Sequence, residues 1–320
     1  TISFGDVDTA DMNVLSVTSA DGQNTTETMR EDNGVNESVT VLGKYGTLTL
    51  GEDGKWVYTL DNAKVQFLGE GQVTTESFAV AYSDDYSTAT NSIVITITGV
   101  NDAPVIHGQC GDDRGTVVED VIRFARGDLD VTDVDQGATA TWSVAPHAQS
   151  AYGNFVVNQN GTWTYTLANN TPAVQSLAEG QHITEHYSVV VTDDKGATDT
   201  QDVTITIWGT NDRPTITGDI GHVTEDGTPQ PQIASGTITF GDIDTADMNT
   251  LWVTGANGVP RTMYEGNANP NESVMVSGTY GSLTLNENGT WSYVLNNAKV
   301  QSLAQGETTT DTFPVAYSDT

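Results

Sequence analysis

The chain has 320 residues, and 43 acidic against 11 basic side chains leave a formal net charge of −32. That balance excludes a nucleic-acid binder, which needs a basic surface to neutralise phosphates. No apolar run is long enough to span a bilayer, and a single cysteine, Cys110, excludes a disulfide framework.

Thr, Val, Ser, Gly, Asn and Asp dominate, which is the chemistry of strands and turns. The charge admits two readings. One is a solvated acidic surface that keeps the protein soluble. The other is a set of cation ligands, because calcium takes six to eight oxygen donors. The acidic residues recur at the same points of a repeat instead of forming a tail-like run, which favours the second reading.

In chain order, residues 1–13 read TISFGDVDTADMN and return as TITFGDIDTADMN at 237–249. An insertion follows, Ser19 to Val41, matched by Gly255 to Val276, and both hold Asn-Glu-Ser-Val. It reads as an extra hairpin or long loop. The central repeat comes next: YGTLTLGEDGKWVYTL from Tyr45, YGNFVVNQNGTWTYTL from Tyr152 and YGSLTLNENGTWSYVL from Tyr280. In each, two alternating runs flank Asp-Gly or Asn-Gly, the strongest short hairpin signal. The segments from Asn62 and Asn297 read as packed crossovers with room for one helical turn, and in each of the three copies a third strand follows, ending at Asp84, Asp193 and Asp319. GVNDAPVI at 99–106 and GTNDRPTI at 209–216 mark boundaries, with Pro where an extended linker enters a strand. The expected division is 1–100, 101–212 and 213–320: three tandem Ig-like Greek-key β-sandwiches, the first starting one strand late and the last stopping one strand early. The middle copy should hold seven strands or slightly more.

Taken together, the Val-x-Glu-Asp lead-in, the F-x-D-x-D loop, the YGxLxLxxxGxWxYxL hairpin, the LAxG run and the ITIxGxNDxP linker resemble VCBS repeats, cadherin-like modules of large secreted bacterial adhesins. The resemblance covers essentially the whole chain. It implies an extracellular rod stiffened by calcium, whose partners are neighbouring repeats. By likeness to cadherin junctions, the first junction would use Glu70, Asn101, Asp102, Asp133, Asp135 and Asp193. The second would use Glu119, Asp120, Glu179, Asn211, Asp212, Asp242, Asp244 and Asp319. Taken singly, each of these motifs is an ordinary Asx turn; their convergence from a base, a linker and a top argues for metal.

Other readings are weaker. His182 and His186 lie four apart in a strand, about 13 Å, too far for one ion. No catalytic motif occurs, so an enzyme is not expected. Trp56, Trp163 and Trp291 occupy equivalent hairpin positions and read as core, whereas Trp252 is a candidate to stack on a cell-surface glycan. The Asn-x-Ser/Thr triplets at Asn24, Asn36, Asn160, Asn169, Asn271 and Asn288 are frequent by composition alone. A rival from another class is a filament subunit whose outer repeats are completed by strands of neighbouring chains.

Overall fold

The computed structural model describes residues 1–7, 12–30, 37–146, 149–226, 231–264 and 272–319. The triplets at Asn36 and Asn271, and Asp8 and Asp11 of the first acidic loop, lie outside the described residues.

The fold is all-β. In the first segment, β1 (Val14–Thr18), β2 (Thr26–Arg30), β6 (Val73–Ser83) and β7 (Thr88–Thr98) make a sheet in the order β2-β1-β6-β7. It faces a second sheet of β3 (Ser38–Leu42), β4 (Gly46–Gly51) and β5 (Trp56–Leu60). Among its described residues the middle segment holds eight strands: β8 (Val105–Gly108), β9 (Arg114–Val118), β10 (Phe124–Thr132), β11 (Ala140–Val144), β12 (Gly153–Val157), β13 (Thr162–Leu167), β14 (His182–Asp193) and β15 (Thr198–Trp208). They form the sheets β12-β13-β10-β8 and β11-β14-β15-β9. In the last segment, β17 (Ile233–Thr237), β21 (Ser273–Ser277), β22 (Gly281–Asn286) and β23 (Thr290–Leu295) pair in the order β17-β23-β22-β21. Opposite lie β19 (Thr250–Thr254), β20 (Pro260–Tyr264) and β24 (Val315–Ser318), and two short strands, β16 (Thr215–Ile216) and β18 (Phe240–Gly241), pair beside the linker.

Strand alternation builds each core. On β13, Trp163, Tyr165 and Leu167 point inward and the threonines between them outward. They meet Phe155, Tyr187, Val203 and Ile205 from the other elements. Leu48, Leu50 and Phe78 fill the same place in the first segment, and Leu285, Val253 and Met263 in the last. Trp163 and Trp291 are buried and Trp56 packs against its core, as their shared hairpin position predicts. Trp142 also packs inward, Trp208 is partly exposed and Trp252 is half-buried on β19.

The hairpin turns are one design used three times. Gly54, Gly161 and Gly289 all have positive φ, +73°, +88° and +80°. A Cβ at each would run into a backbone carbonyl, of Ile2, Leu129 or Ile238. Only glycine satisfies both demands.

The insertion differs from its expected form. β2 and β3 do not pair with each other: β2 joins β1 and β3 joins β4, so the segment widens both sheets by an edge strand. β20 and β21 repeat this in the last segment. The crossovers are single helical turns, Asn62–Lys64, α1 (Pro172–Gln175) and Asn297–Lys299, packed down by buried Val65, Val174 and Val300.

Each repeat also holds a carboxylate at an equivalent position, on β6 and β14 for Glu76 and Glu185 and just before β24 for Asp311. Buried Glu76 accepts hydrogen bonds from Tyr58 Oη and from the Tyr45 N–H at 3.2 Å. Glu185 accepts from Tyr165 Oη (2.8 Å) and Tyr187 Oη (2.9 Å). Asp311 accepts from Tyr293 Oη (2.8 Å) and the Tyr280 N–H (2.9 Å). Each carboxylate ties the third strand of its repeat, or the segment leading into it, to the hairpin across the sandwich.

Candidate metal centre

Two linkers join the segments, and at each the chain gathers acidic groups from three directions. At the second junction the linker is 209–214. The Asp212 N–H donates to Asp244 Oδ2 at 2.7 Å, and the Asp244 N–H donates to Asp242 Oδ1 at 3.2 Å. Asn211 Nδ2 donates to Asp319 Oδ2 at 3.2 Å. From the middle segment, Glu119 accepts the Thr210 N–H at 3.2 Å and Gln175 Nε2 at 2.6 Å. Its neighbour Asp120 has φ +55° and is held by Asn169, which donates Nδ2 to Asp120 Oδ1 at 2.6 Å and accepts the Asp120 N–H at 2.8 Å. The Thr245 hydroxyl, donating to the Ser176 carbonyl at 3.2 Å, closes the two segments together.

Sequence reasoning missed Asp247. Its carboxylate comes together with those of Asp242 and Asp319, one oxygen from each within 4.8 Å of the others. The signal was present: D-x-D-x-x-D occurs at 242–247, as at 6–11.

Burial makes the cluster costly when empty of counter-charge. Glu119 is fully buried and Asp244 is 2 % exposed. Burial pushes Glu119 up to about 7, with Asp212, Asp120 and Asp244 adding repulsion against the pull of the Thr210 N–H. Asp212, Asp244 and Asp247 are all raised, first by burial and then by each other's neighbourhood of carboxylates, Asp242 and Asp319 among them. Glu179, exposed on the crossover, adds its charge to Asp247. Asp212 Oδ2, Asp242 Oδ2, Asp244 Oδ1, Asp247 Oδ2 and Asn249 Oδ1 are buried without a hydrogen-bond partner. Buried polar atoms are otherwise almost always paired, so the unpartnered carboxylate oxygens around the Asp242, Asp247 and Asp319 group fit a hard divalent cation.

The first junction repeats the frame. The Asp102 N–H donates to Asp135 Oδ2 at 2.9 Å, and the Asp135 N–H to Asp133 Oδ1 at 2.9 Å. Asn101 Nδ2 donates to Asp193 Oδ2 at 2.8 Å. The Gln136 N–H donates to the Phe67 carbonyl at 2.9 Å, where Thr245 meets Ser176 at the other junction. Asp133 Oδ2 and Asp135 Oδ1 are buried and unpartnered. Glu70 is exposed on the crossover and faces the charge of Lys195. Glu70, Asp120, Glu179 and Asn211 are the exposed members of the two sets.

Among known proteins, residues 101–209 match the family described as bacterial cadherin-like domain. A protein of Rhizobium johnstonii described as the calcium-binding lectin RapA2 is 30 % identical over 194 residues, 55 % of this chain and 78 % of that protein. Similar solved structures include PcdhgB3 EC1-4 (14 % identity, TM-score 0.40) and the protocadherin gamma B2 extracellular cadherin domains 1-5 (16 %, 0.41). The matches cover 85 % and 88 % of this chain but only 60 % and 45 % of those structures. Mouse cadherin-23 EC22-24 is 17 % identical at a TM-score of 0.38, over 84 % of this chain and 88 % of that one. At these TM-scores the fold assignment rests on the strand pairing above. The family match and the Rhizobium relative place the chain among the bacterial cadherin-like proteins.

Proposed function

We propose that the chain is a calcium-stiffened extracellular spacer of a bacterial surface or secreted adhesin, built of three VCBS-type units, 1–100, 101–212 and 213–320. The observation that carries this is the group of carboxylates at Asp242, Asp247 and Asp319, with buried, unpartnered carboxylate oxygens on Asp212, Asp242, Asp244 and Asp247. The relative described as a calcium-binding lectin supports the same metal. Asp242, Asp247 and Asp319 would hold an ion on one side of the linker, and Glu119, Asp212 and Asp244 would supply oxygens deeper in, flanked by Asp120, Asn211 and Glu179. At the first junction the corresponding ligands are Asp133, Asp135, Asp102, Asn101, Asp193 and Glu70. Without metal, like charges at each junction push the units apart. Binding removes that repulsion and couples the cation to the angle between units.

The test is thermal unfolding and small-angle X-ray scattering of the chain with calcium and with chelator. The reading expects a higher melting temperature and a longer, straighter particle with calcium. An identical melting curve and scattering profile in the two buffers would reduce the acidic motifs to turns and the charge to solubility.

A second reading, carbohydrate binding, is favoured by the lectin relative and by Trp252 on the outer face of β19. It expects sugar-dependent stabilisation that Trp252→Ala abolishes, and fails if no glycan on an array is retained.

A further inference from the structure

The first and last segments share a strand frame but differ on its outer face. β19 pairs with β20 and β24 in the register in which β1 pairs with β2 and β6. Trp252 lies between Thr262 and Ala316, as Ser16 lies between Thr28 and Ala81. The inward positions are identical: Leu251, Val253 and Met263 repeat Leu15, Val17 and Met29, and all six are buried. The outward positions are not. Where the first segment has Ser16 and Arg30, the last has Trp252 and Tyr264. The same frame thus folds with serine and arginine at these two places, and the core requires neither ring.

The register sets the two aromatic residues side by side. Trp252 is opposite Thr262 and Tyr264 is opposite Thr250, which makes them diagonal neighbours on one face of the β19–β20 pair. Diagonal residues lie about 7–8 Å apart, within reach of aromatic side chains. Tyr264 is 59 % exposed. Trp252 is half-buried, and its neighbour on β24, Ala316, sets only a methyl group against the indole. Thr250, Thr262 and Ser318 place hydroxyls around the pair. The one charged residue of these three strands, Arg261, is opposite inward Val253 and so stands off the outer face. Trp208, by contrast, has its ring covered by His182 at a centroid distance of 4.5 Å.

This chemistry selects a ligand. Flat rings edged by hydroxyls suit a molecule with an apolar face and a polar rim, which describes a pyranose. An anionic sugar finds no cation on the outer face of these strands, and the net charge of −32 repels it. Rings set a diagonal apart reach beyond a single pyranose.

We propose that Trp252 and Tyr264 form one aromatic platform that binds consecutive rings of an uncharged polysaccharide. The proposal rests on the carbohydrate reading above and deepens it, by naming the second contact and the class of sugar.

The test is retardation of the full chain in native gels cast with a soluble neutral glucan, mannan or galactan, and with polygalacturonate as the acidic counterpart. A neutral polymer should retard the wild type. Trp252→Ser should abolish this, and because it installs the residue that the first segment carries in the same frame, the fold should survive, which thermal unfolding checks. Tyr264→Ala should weaken retention about tenfold, the loss of one stacked ring, whereas Tyr264→Phe should keep it. If Tyr264→Ala is retained like the wild type while Trp252→Ser is not, the platform is wrong and carbohydrate binding stands on Trp252 alone. Retention by polygalacturonate alone would overturn the class of sugar. A wild type that sediments as a dimer, and a Trp252→Ser variant that sediments as a monomer, would assign the face to a second copy of the chain and overturn the proposal. If no polymer retards the wild type, the carbohydrate reading itself falls and takes this inference with it.

Discussion

Replacing Glu119 by Gln should make the metal-free protein more stable at pH 8 and less responsive to calcium. Glu119 is fully buried, and its carboxyl rises from 4.5 to about 7. At about 1.4 kcal/mol per pH unit, that rise puts about 3 kcal/mol against the folded junction once the group is ionised. The amide removes that charge. It also replaces one of the two accepting oxygens, which serve Thr210 N–H and Gln175 Nε2, at a cost of about 1 kcal/mol. The net gain expected for the stripped variant at pH 8 is about 2 kcal/mol. The gain disappears in acid. A carboxyl whose folded value lies above its unfolded one favours the fold fully below 4.5, and this contribution disappears as pH rises through 7. Below pH 4 the protonated carboxyl, like the amide, keeps one carbonyl acceptor, so variant and wild type should be equally stable. Urea unfolding in calcium-stripped buffer between pH 4 and 8, followed by tryptophan fluorescence, measures this; Trp208 lies beside the site, its carbonyl accepting the Glu119 N–H. A Gln variant that is less stable than the wild type at pH 8, or whose difference does not change with pH, would refute the reasoning.

Two further outcomes concern the units themselves. Gly161→Ala forces a Cβ into the Leu129 carbonyl at φ +88°, and should cost the middle unit about 1–3 kcal/mol, read as an earlier urea transition; a neutral effect would show that the turn relaxes. Glu76→Ala leaves the Tyr58 hydroxyl and the Tyr45 N–H without their acceptor. It should lower the first unit's stability by about 2 kcal/mol while calcium uptake at the second junction stays unchanged, and dialysis would expose any coupling between the two.

The strands and their turns were readable because their causes are local. Alternation sets which face of β13 is buried, and Asn-Gly supplies the left-handed residue that the hairpin needs. The junction frame was also readable, since linker and loop motifs recur in the same order in each repeat. Asp247 was visible in the text but not in importance: its weight comes from Asp319, 72 residues further on, folding against it. The Asn169 support under Asp120 spans 49 residues and has the same character. The core carboxylates had a local signature that went unread, an acidic residue two places before an inward aromatic: Glu76–Phe78, Glu185–Tyr187, Asp311–Phe313.

Among the described strand pairs, β9 with β15 is the only parallel one, running from Arg114–Thr204 to Val118–Trp208. Its position determines how the middle unit answers a pulling force. The chain enters beside Asp135 and Asp193 and leaves beside Glu119, at opposite ends of the sandwich. Tension applied through the two linkers loads β8, paired with β10, and then β9, drawn along β15 over their shared length. Five paired positions share that load at once, whereas a hairpin pulled from its open end yields one rung at a time. The fold thus places a shear clamp on the line of force, and single-molecule extension should find the middle unit yielding abruptly, at a force set by its unfolding rate, after the linkers have straightened.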